Sequence, residues 1–120
     1  MRVLVVDDDW MVRKLVERVA REVFDRVQTA EDGAQALELM ETQHYDVVIT
    51  DLKMPGIGGL EVIRAARSRE PATVLIVITG FAETADESAI RVCGAELLRK
   101  PFGAAELEGA LRRAAGLAID

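Results

Sequence analysis

Several features that define large classes of protein are scarce or missing in this sequence. The 120 residues contain one cysteine, Cys93, which excludes an internal disulfide and fits the reducing cytosol. No apolar run approaches the roughly 20 residues that a membrane-spanning helix needs. The first residues, MRVLVVDDD, reach charged residues after four apolar ones and do not form a secretory signal. With a net charge of −6, the chain lacks the basic surface that nucleic acids require. We therefore expect a cytoplasmic protein that binds neither membranes nor nucleic acids.

Composition and length favour one folded unit. Half of the residues are hydrophobic, which is enough to form a buried core. No repeat, low-complexity segment or linker divides the chain, and its length is typical of one domain. The sequence predicts a single domain over residues 1–120, with no output domain.

Short β-branched runs alternate with amphipathic stretches, a pattern typical of βαβ units around a parallel sheet. The clearest runs are apolar without alternation, as expected for strands that are covered on both faces. The predicted strands are residues 3–6, 26–29, 47–50, 74–78 and 96–99. Helical spacing predicts five helices. The predicted inward residues are Val12, Val16, Val19 and Val23 in the first helix, Ala34, Leu37 and Met40 in the second, Leu60 and Ile63 in the third, and Leu107, Leu111 and Ala114 in the fifth. The fourth helix, residues 83–92, is weakly amphipathic and rich in Glu, Asp and Ser. The predicted fold class is α/β, a doubly wound (βα)5 arrangement with a five-stranded parallel sheet.

Acidic residues follow two of these strands. Asp7, Asp8 and Asp9 come after the first strand, and Asp51 directly follows the third. Ligands bind beyond the carboxyl ends of parallel strands, so these acids are expected at one rim. An acid just before a helix often only caps it, which is our interpretation of Asp9. Carboxylates within about 5 Å of one another repel by roughly a few kcal/mol, so a cluster of them indicates a bound cation or proton. Oxygen ligands suit a hard cation such as Mg²⁺ or Mn²⁺.

A hydroxyl group and a lysine are expected at the same rim. Thr79 follows the fourth strand and Lys100 follows the fifth. Taken alone, Thr79 is more simply read as a helix N-cap and Lys100 as a solvated lysine. Beside Asp51, however, both suit phosphoryl transfer, in which Asp51 forms an aspartyl phosphate and the other two contact phosphoryl oxygens.

The chain resembles the receiver domain of two-component response regulators over essentially its whole length. The matching segments are VVDDD at 5–9, DLKMPGIGG at 51–59, ITG at 78–80 and KPF at 100–102. The resemblance implies a flavodoxin-like receiver fold with strand order 2-1-3-4-5. It implies that Asp51 is the phosphoacceptor and that Thr79 and Lys100 contact the phosphoryl group. The implied partners are a sensor histidine kinase or a histidine phosphotransfer protein, and a downstream output protein or domain.

The resemblance also implies a set of metal ligands beside Asp51. Asp8 would bind Mg²⁺ directly, and Asp7 would act largely through water. The backbone carbonyl of Lys53 would complete the protein ligands. The peptide bond between Lys100 and Pro101 would be cis.

The chain departs from the family pattern at three places. Leu97 stands three positions before the lysine, where the family often has an aromatic residue, and residues 94–100 form a segment one residue shorter than usual. Both departures affect the conformational change that would follow phosphorylation, rather than phosphorylation itself. Gly58 replaces a frequent aspartate, which affects local loop stiffness.

Other reactive residues receive structural interpretations. His44 precedes the third strand, at its opposite end from Asp51, and is interpreted as a loop residue. Cys93 is interpreted as a packed residue rather than a redox centre. Phe81 is expected to pack over the site, and Trp10 to be partly exposed beside the acids.

Two other functions compete with the phosphorylation switch. One is an interaction module that has this fold but never uses phosphate, against which the acids, Thr79 and Lys100 argue. The other is a Mg²⁺-dependent phosphatase of small molecules, which would need a substrate pocket and a second acid. In the favoured interpretation the chain is not an enzyme beyond catalysing its own phosphorylation and dephosphorylation.

Overall fold

The computed structural model describes residues 1–80 and 84–119 and contains a five-stranded parallel sheet with five helices. The strand order is β2-β1-β3-β4-β5, which confirms the predicted order. The strands are β1 (Arg2–Val6), β2 (Arg26–Ala30), β3 (Val47–Asp51), β4 (Val74–Thr79) and β5 (Glu96–Arg99). The helices are α1 (Trp10–Val23), α2 (Gly33–Thr42), α3 (Gly59–Arg69), α4 (Thr84–Val92) and α5 (Ala104–Ile119).

Both faces of the sheet are covered, which explains why the central strands lack apolar–polar alternation. Alternate residues of β1 point to opposite faces, and Val3 and Val5 pack with α1 and α5. Leu4 and Val6 belong to the second core cluster, with residues of α2, α3 and α4. All five residues of β3 are buried, so Asp51 ends a strand that is enclosed on both sides.

With one exception, the residues predicted to face inward are buried or partly buried against the core. In α5, Leu107, Leu111 and Ala114 are buried as expected. The prediction for Ala34 in α2 is wrong, since its side chain is exposed. The helix begins at Gly33 after the N-cap Asp32, and its inward face is formed by Gly33, Ala36 and Met40.

The predicted start of the fourth helix, residue 83, lies outside the described residues, and the helix is observed from Thr84. Within the part of the chain that the structure describes, no helix combines the length and apolarity needed to cross a membrane.

One residue aligns the three central strands at the edge opposite their carboxyl ends. The Asp46 side chain accepts a hydrogen bond from the Arg2 N–H at 2.7 Å. The Asp46 N–H donates to the Arg2 carbonyl at 2.8 Å, and the Asp46 carbonyl accepts from the Val74 N–H at 2.9 Å. The main chain and side chain of Asp46 thus connect the beginnings of β1, β3 and β4.

Candidate functional site

The carboxyl ends of β1 and β3 bring together three aspartates. The two strands are neighbours in the sheet, and Val6 pairs with Thr50, so the residues that follow lie side by side. Asp7, Asp8 and Asp51 can each offer one carboxylate oxygen, and these three atoms lie within 4.8 Å of one another. The structure therefore brings together the acids that the sequence placed at this rim.

Two of these carboxylates are almost fully buried, and burial disfavours their charged forms. Asp7 is 2% exposed and Asp51 is 8% exposed, whereas Asp8 faces solvent. Burial raises the pKa of Asp7 to about 6, and the charge of Asp51 adds to the effect, although the Asp9 N–H opposes it by donating to Asp7 Oδ1 at 2.9 Å. Burial also raises the pKa of Asp51, against the opposing effect of Lys100. A hard divalent cation fits this set, because it would offset the desolvation and mutual repulsion of three oxygen donors.

Lys100 joins the acidic cluster from the edge strand. Its Nζ lies 3.5 Å from Asp51 Oδ1, and its backbone N–H donates to the Thr79 carbonyl at 2.7 Å. The Lys100–Pro101 peptide bond is cis, as the resemblance predicted. The interpretation of Lys100 as an ordinary solvated lysine is wrong, since its ammonium pairs with the buried Asp51.

Thr79 is the last residue of β4 and is buried. It follows Ile78, which pairs with Asp51 across the sheet, so it lies at the same rim as the acids. The N-cap alternative for Thr79 is wrong, because Thr79 belongs to β4 and the next residue, Gly80, is not helical.

Local interactions fix the loop that carries the first acids. The Asp9 side chain accepts hydrogen bonds from the N–H groups of Met11 and Val12, which confirms its interpretation as the N-cap of α1. The Arg13 guanidinium donates to the Asp7 carbonyl at 2.8 Å, an interaction that the sequence analysis missed. Helical side chains lean toward the N-terminus of their helix. The position of Arg13 near the start of α1, six residues after Asp7, could therefore have predicted this contact.

A glycine allows α3 to start directly against the end of β3. A Cβ atom on Gly59 would lie 2.1 Å from the Asp51 carbonyl oxygen, so any other residue would push the helix away from the site. Gly58, the residue before α3, has no side chain that could cap the helix. The backbone N–H of Gly58 instead donates to Glu61 Oε1 at 3.4 Å.

Other residues considered in the sequence lie away from the acidic cluster. His44 is an exposed loop residue before β3, and its ring nitrogens lie 3.4 Å from a carboxylate oxygen of Asp46 and 3.7 Å from one of Glu70. Trp10 is exposed at the start of α1, and Cys93 is partly buried and follows α4. Phe81, expected over the site, lies outside the described residues.

Fold and site together define a class: doubly wound α/β domains with a buried aspartate, an acidic cluster and a lysine at the carboxyl edge of the sheet. A family model described as the response regulator receiver domain matches residues 3–112. The chain belongs to this family, and it is therefore a receiver domain, a phosphorylation-dependent signalling switch.

Individual relatives agree with this assignment. The chain is 34% identical over 112 residues to chemotaxis protein CheY-3 of Vibrio cholerae, covering 90% of this chain and 86% of that protein. It is 36% identical over 113 residues to the response regulator MprA of a Mycobacterium species, covering 93% of this chain but only 49% of MprA. Among solved structures, Vibrio cholerae chemotaxis protein CheY4 matches with a TM-score of 0.83 and 30% identity, covering 94% of this chain and 97% of that one.

Proposed function

We propose that Asp51 is the phosphoacceptor and that a sensor histidine kinase or a histidine phosphotransfer protein is the donor. In this step the bond between phosphorus and the donor breaks as a bond forms between phosphorus and a carboxylate oxygen of Asp51. The observation that carries the proposal is the position of Asp51: a buried carboxylate within 4.8 Å of two others and 3.5 Å from the Lys100 ammonium. Such an arrangement supplies the positioning and charge neutralisation that phosphoryl transfer requires.

The residues around Asp51 would bind the metal ion and contact the phosphoryl group. Asp8 and Asp51 would hold Mg²⁺ (or Mn²⁺) directly, Asp7 would do so largely through water, and the Lys53 carbonyl would complete the set. Bound Mg²⁺ supplies positive charge for the phosphoryl oxygens. Lys100 pairs with another phosphoryl oxygen by exchanging its present contact with Asp51.

Thr79 would donate its hydroxyl to a third phosphoryl oxygen and so couple the end of β4 to the modification. The same groups would catalyse slow hydrolysis of the aspartyl phosphate, so the chain acts as an enzyme only on itself. The phosphorylated form would be read in the cytoplasm by an output protein or domain, because the phosphoryl group adds nearly two charges and strong acceptors.

Intact mass spectrometry after incubation with acetyl phosphate and Mg²⁺ tests this proposal. We expect one added phosphoryl group that hydroxylamine removes and that the Asp51→Asn variant does not acquire. Asp9→Asn is the matched control, because it makes the same chemical change at the same rim and asparagine remains a good N-cap.

Other results would favour the competing functions. Undiminished labelling of Asp51→Asn would show that another residue accepts the group. A folded chain that takes no phosphoryl group would indicate a pure interaction module. Continuous turnover of a chromogenic phosphate ester would indicate a small-molecule phosphatase.

A further inference from the structure

The proposed metal ligands are held in place in different ways. Asp51 ends a strand that is enclosed on both sides and is itself buried. Lys53, whose backbone carbonyl would complete the ligands, lies two residues further on, and its ammonium is 3.5 Å from a carboxylate oxygen of Asp86. Asp8 faces solvent, so burial does not fix its side chain. The position of Asp8 therefore depends on how the main chain on either side of it is held.

Hydrogen bonds hold the main chain before and after Asp8. The Asp7 N–H donates to the Ala30 carbonyl of β2 at 3.2 Å, and the Asp9 N–H donates to Asp7 Oδ1 at 2.9 Å. The Asp7 carbonyl accepts from Nη1 of Arg13 at 2.8 Å. Because this carbonyl and the Asp8 N–H belong to one planar peptide unit, the bond from Arg13 fixes the plane from which Asp8 extends.

Arg13 contacts this segment at two points. It lies in the first turn of α1, and its backbone N–H donates to the Asp9 carbonyl at 2.9 Å. Its partly buried side chain reaches back to the Asp7 carbonyl. The planar, charged guanidinium makes a stronger and more directional hydrogen bond than a neutral donor would. One residue of α1 thus supports the chain on both sides of Asp8.

The two common divalent cations differ in how much they depend on such support. Mg²⁺ requires near-ideal octahedral coordination at short distances, whereas Ca²⁺ accepts irregular coordination at longer ones. A small displacement of Asp8 should therefore weaken the binding of Mg²⁺ much more than that of Ca²⁺.

We propose that Arg13 is a positioning residue that holds the peptide unit between Asp7 and Asp8 and so sets the geometry in which Asp8 binds Mg²⁺. The proposal rests on the metal site of the proposed function. It makes Arg13 responsible for part of the Mg²⁺ affinity and for the preference of the site for Mg²⁺ over Ca²⁺.

The charge of Arg13 alone would have the opposite effect. A positive charge near a cation site repels the cation, so removing that charge should strengthen the binding of Mg²⁺. Removing the support of the peptide unit should weaken it. The sign of the change in affinity therefore distinguishes the two effects.

Titrations with Mg²⁺ and Ca²⁺, monitored by Trp10 fluorescence, measure this sign. Arg13→Met keeps an unbranched side chain but removes every donor, and we expect it to raise the Kd for Mg²⁺ by about tenfold or more. The Kd for Ca²⁺ should rise by less than about threefold. Arg18→Met is the matched control, because Arg18 is an exposed arginine of the same helix, and both affinities should be unchanged in it. Unchanged or tighter Mg²⁺ binding in Arg13→Met would overturn the proposal, and so would equal losses for the two cations.

A second arginine separates positioning from general stability. Arg67 of α3 donates to the carbonyls of Cys93 and Thr73 at 2.8 and 2.9 Å, and these residues precede β5 and β4 at the edge of the sheet opposite the acidic cluster. Arg67→Met should lower the free energy of unfolding measured in urea and leave the Mg²⁺ affinity unchanged. A loss of Mg²⁺ affinity as large as that in Arg13→Met would contradict the proposal, since lower stability alone would then explain both variants.

The hydrogen bond itself is tested without metal. In the presence of a chelator, hydrogen exchange of the Asp9 amide should accelerate on the order of tenfold in Arg13→Met and stay the same in Arg18→Met. Unchanged exchange in Arg13→Met would show that the segment is held without Arg13. If Arg13→Met does not fold, Arg13→Lys serves instead, because it keeps the charge on a shorter side chain without the planar fork and should also weaken Mg²⁺ binding.

The titrations also separate this proposal from the proposed function. An unmodified chain that binds no Mg²⁺ contradicts the proposed metal site and the role of Arg13 together. An unmodified chain that binds Mg²⁺ no more tightly than Arg13→Met contradicts only the role of Arg13.

Discussion

The raised pKa of Asp7 makes the stability of the folded chain depend on pH. Its pKa is raised from 3.8 to about 6, mainly by burial. Folded Asp7 therefore holds its proton more tightly than unfolded Asp7, and the free energy of unfolding falls as pH rises from about 4 to about 6. Without divalent metal, Asp7→Asn should raise the free energy of unfolding at pH 7 by up to about 3 kcal/mol, with a difference that shrinks toward pH 4.

Urea denaturation in the presence of a chelator, at several pH values, measures this difference. Asp9→Asn should show no comparable gain, because Asp9 is exposed. Excess Mg²⁺ should cancel the advantage of Asp7→Asn, since the charged carboxylate then has a cation beside it. A variant that gains equally at pH 4 and pH 7 would show that the effect does not come from the charge of Asp7.

Asp8 and Trp10 provide a direct test of the metal ligands. Trp10 is the only tryptophan, is 61% exposed and lies two residues after Asp8, so its fluorescence should report a change at the acidic cluster. Asp8→Ala removes a proposed direct ligand and should weaken Mg²⁺ binding by at least about tenfold, because even outer partners of metal ligands contribute that much. The test is a Mg²⁺ titration monitored by Trp10 fluorescence, with Asp9→Asn as control. Equal affinities with and without Asp8 would contradict this placement of the ion.

At the scale of elements, β5 carries Leu97, one of the residues that depart from the family pattern. Leu97 pairs with Val77 of β4 and is partly buried against the core cluster that includes Ile90 of α4. Leucine has neither a large ring nor a hydroxyl group that could reorient if Thr79 moves toward a phosphoryl group, as proposed. Phosphorylation should therefore shift the amide signals of residues 79–92 more than those around Leu97.

Leu97→Tyr tests this interpretation by restoring an aromatic residue. Its phosphorylation-dependent NMR shifts should spread into β5, while intact mass should show the same extent of phosphorylation. Two results would contradict our account of the output face: an unchanged pattern in Leu97→Tyr, or largest shifts on α1.

The sequence predicted the elements with a strong and regular signal. The β-branched runs identified β1, β3 and β4 to within one residue at each end, because continuous apolar strands admit few alternatives. Ala34 was misassigned because alanine is compatible with either face of a helix, and only packing against α3 and the sheet shows that Ala36 is the buried one.

At the site, strand ends were enough to predict that Asp7, Asp8 and Asp51 converge. The Arg13, Arg67 and Lys53–Asp86 interactions were not predicted, because each depends on how a long side chain crosses between elements. Such contacts are set by helix placement rather than by periodicity, and the strand order itself came from the resemblance.

At the scale of the whole molecule, we expect the proposed metal binding to be linked to folding. The proposed metal ligands come from β3 and from the loops that follow β1 and β3, and the unfolded chain does not hold them together. Mg²⁺ at about 100 times its Kd should raise the free energy of unfolding by about 2.7 kcal/mol. Urea denaturation at increasing Mg²⁺ measures this gain, which should be nearly lost in Asp8→Ala at the same concentrations. A gain that persists in that variant would indicate binding elsewhere.

The hydrogen bonds of Asp46 affect which residues of such a domain can change without disturbing its sheet. It joins three strands at the edge farthest from the phosphorylation chemistry, so strand alignment and reactivity depend on separate groups. If Asp51 carries the phosphoryl group, as proposed, substitutions around it can lengthen or shorten the signal while the register of the sheet is preserved. For protein engineering, Asp46 is a position to leave untouched, and the opposite rim is the place to adjust the duration of a response.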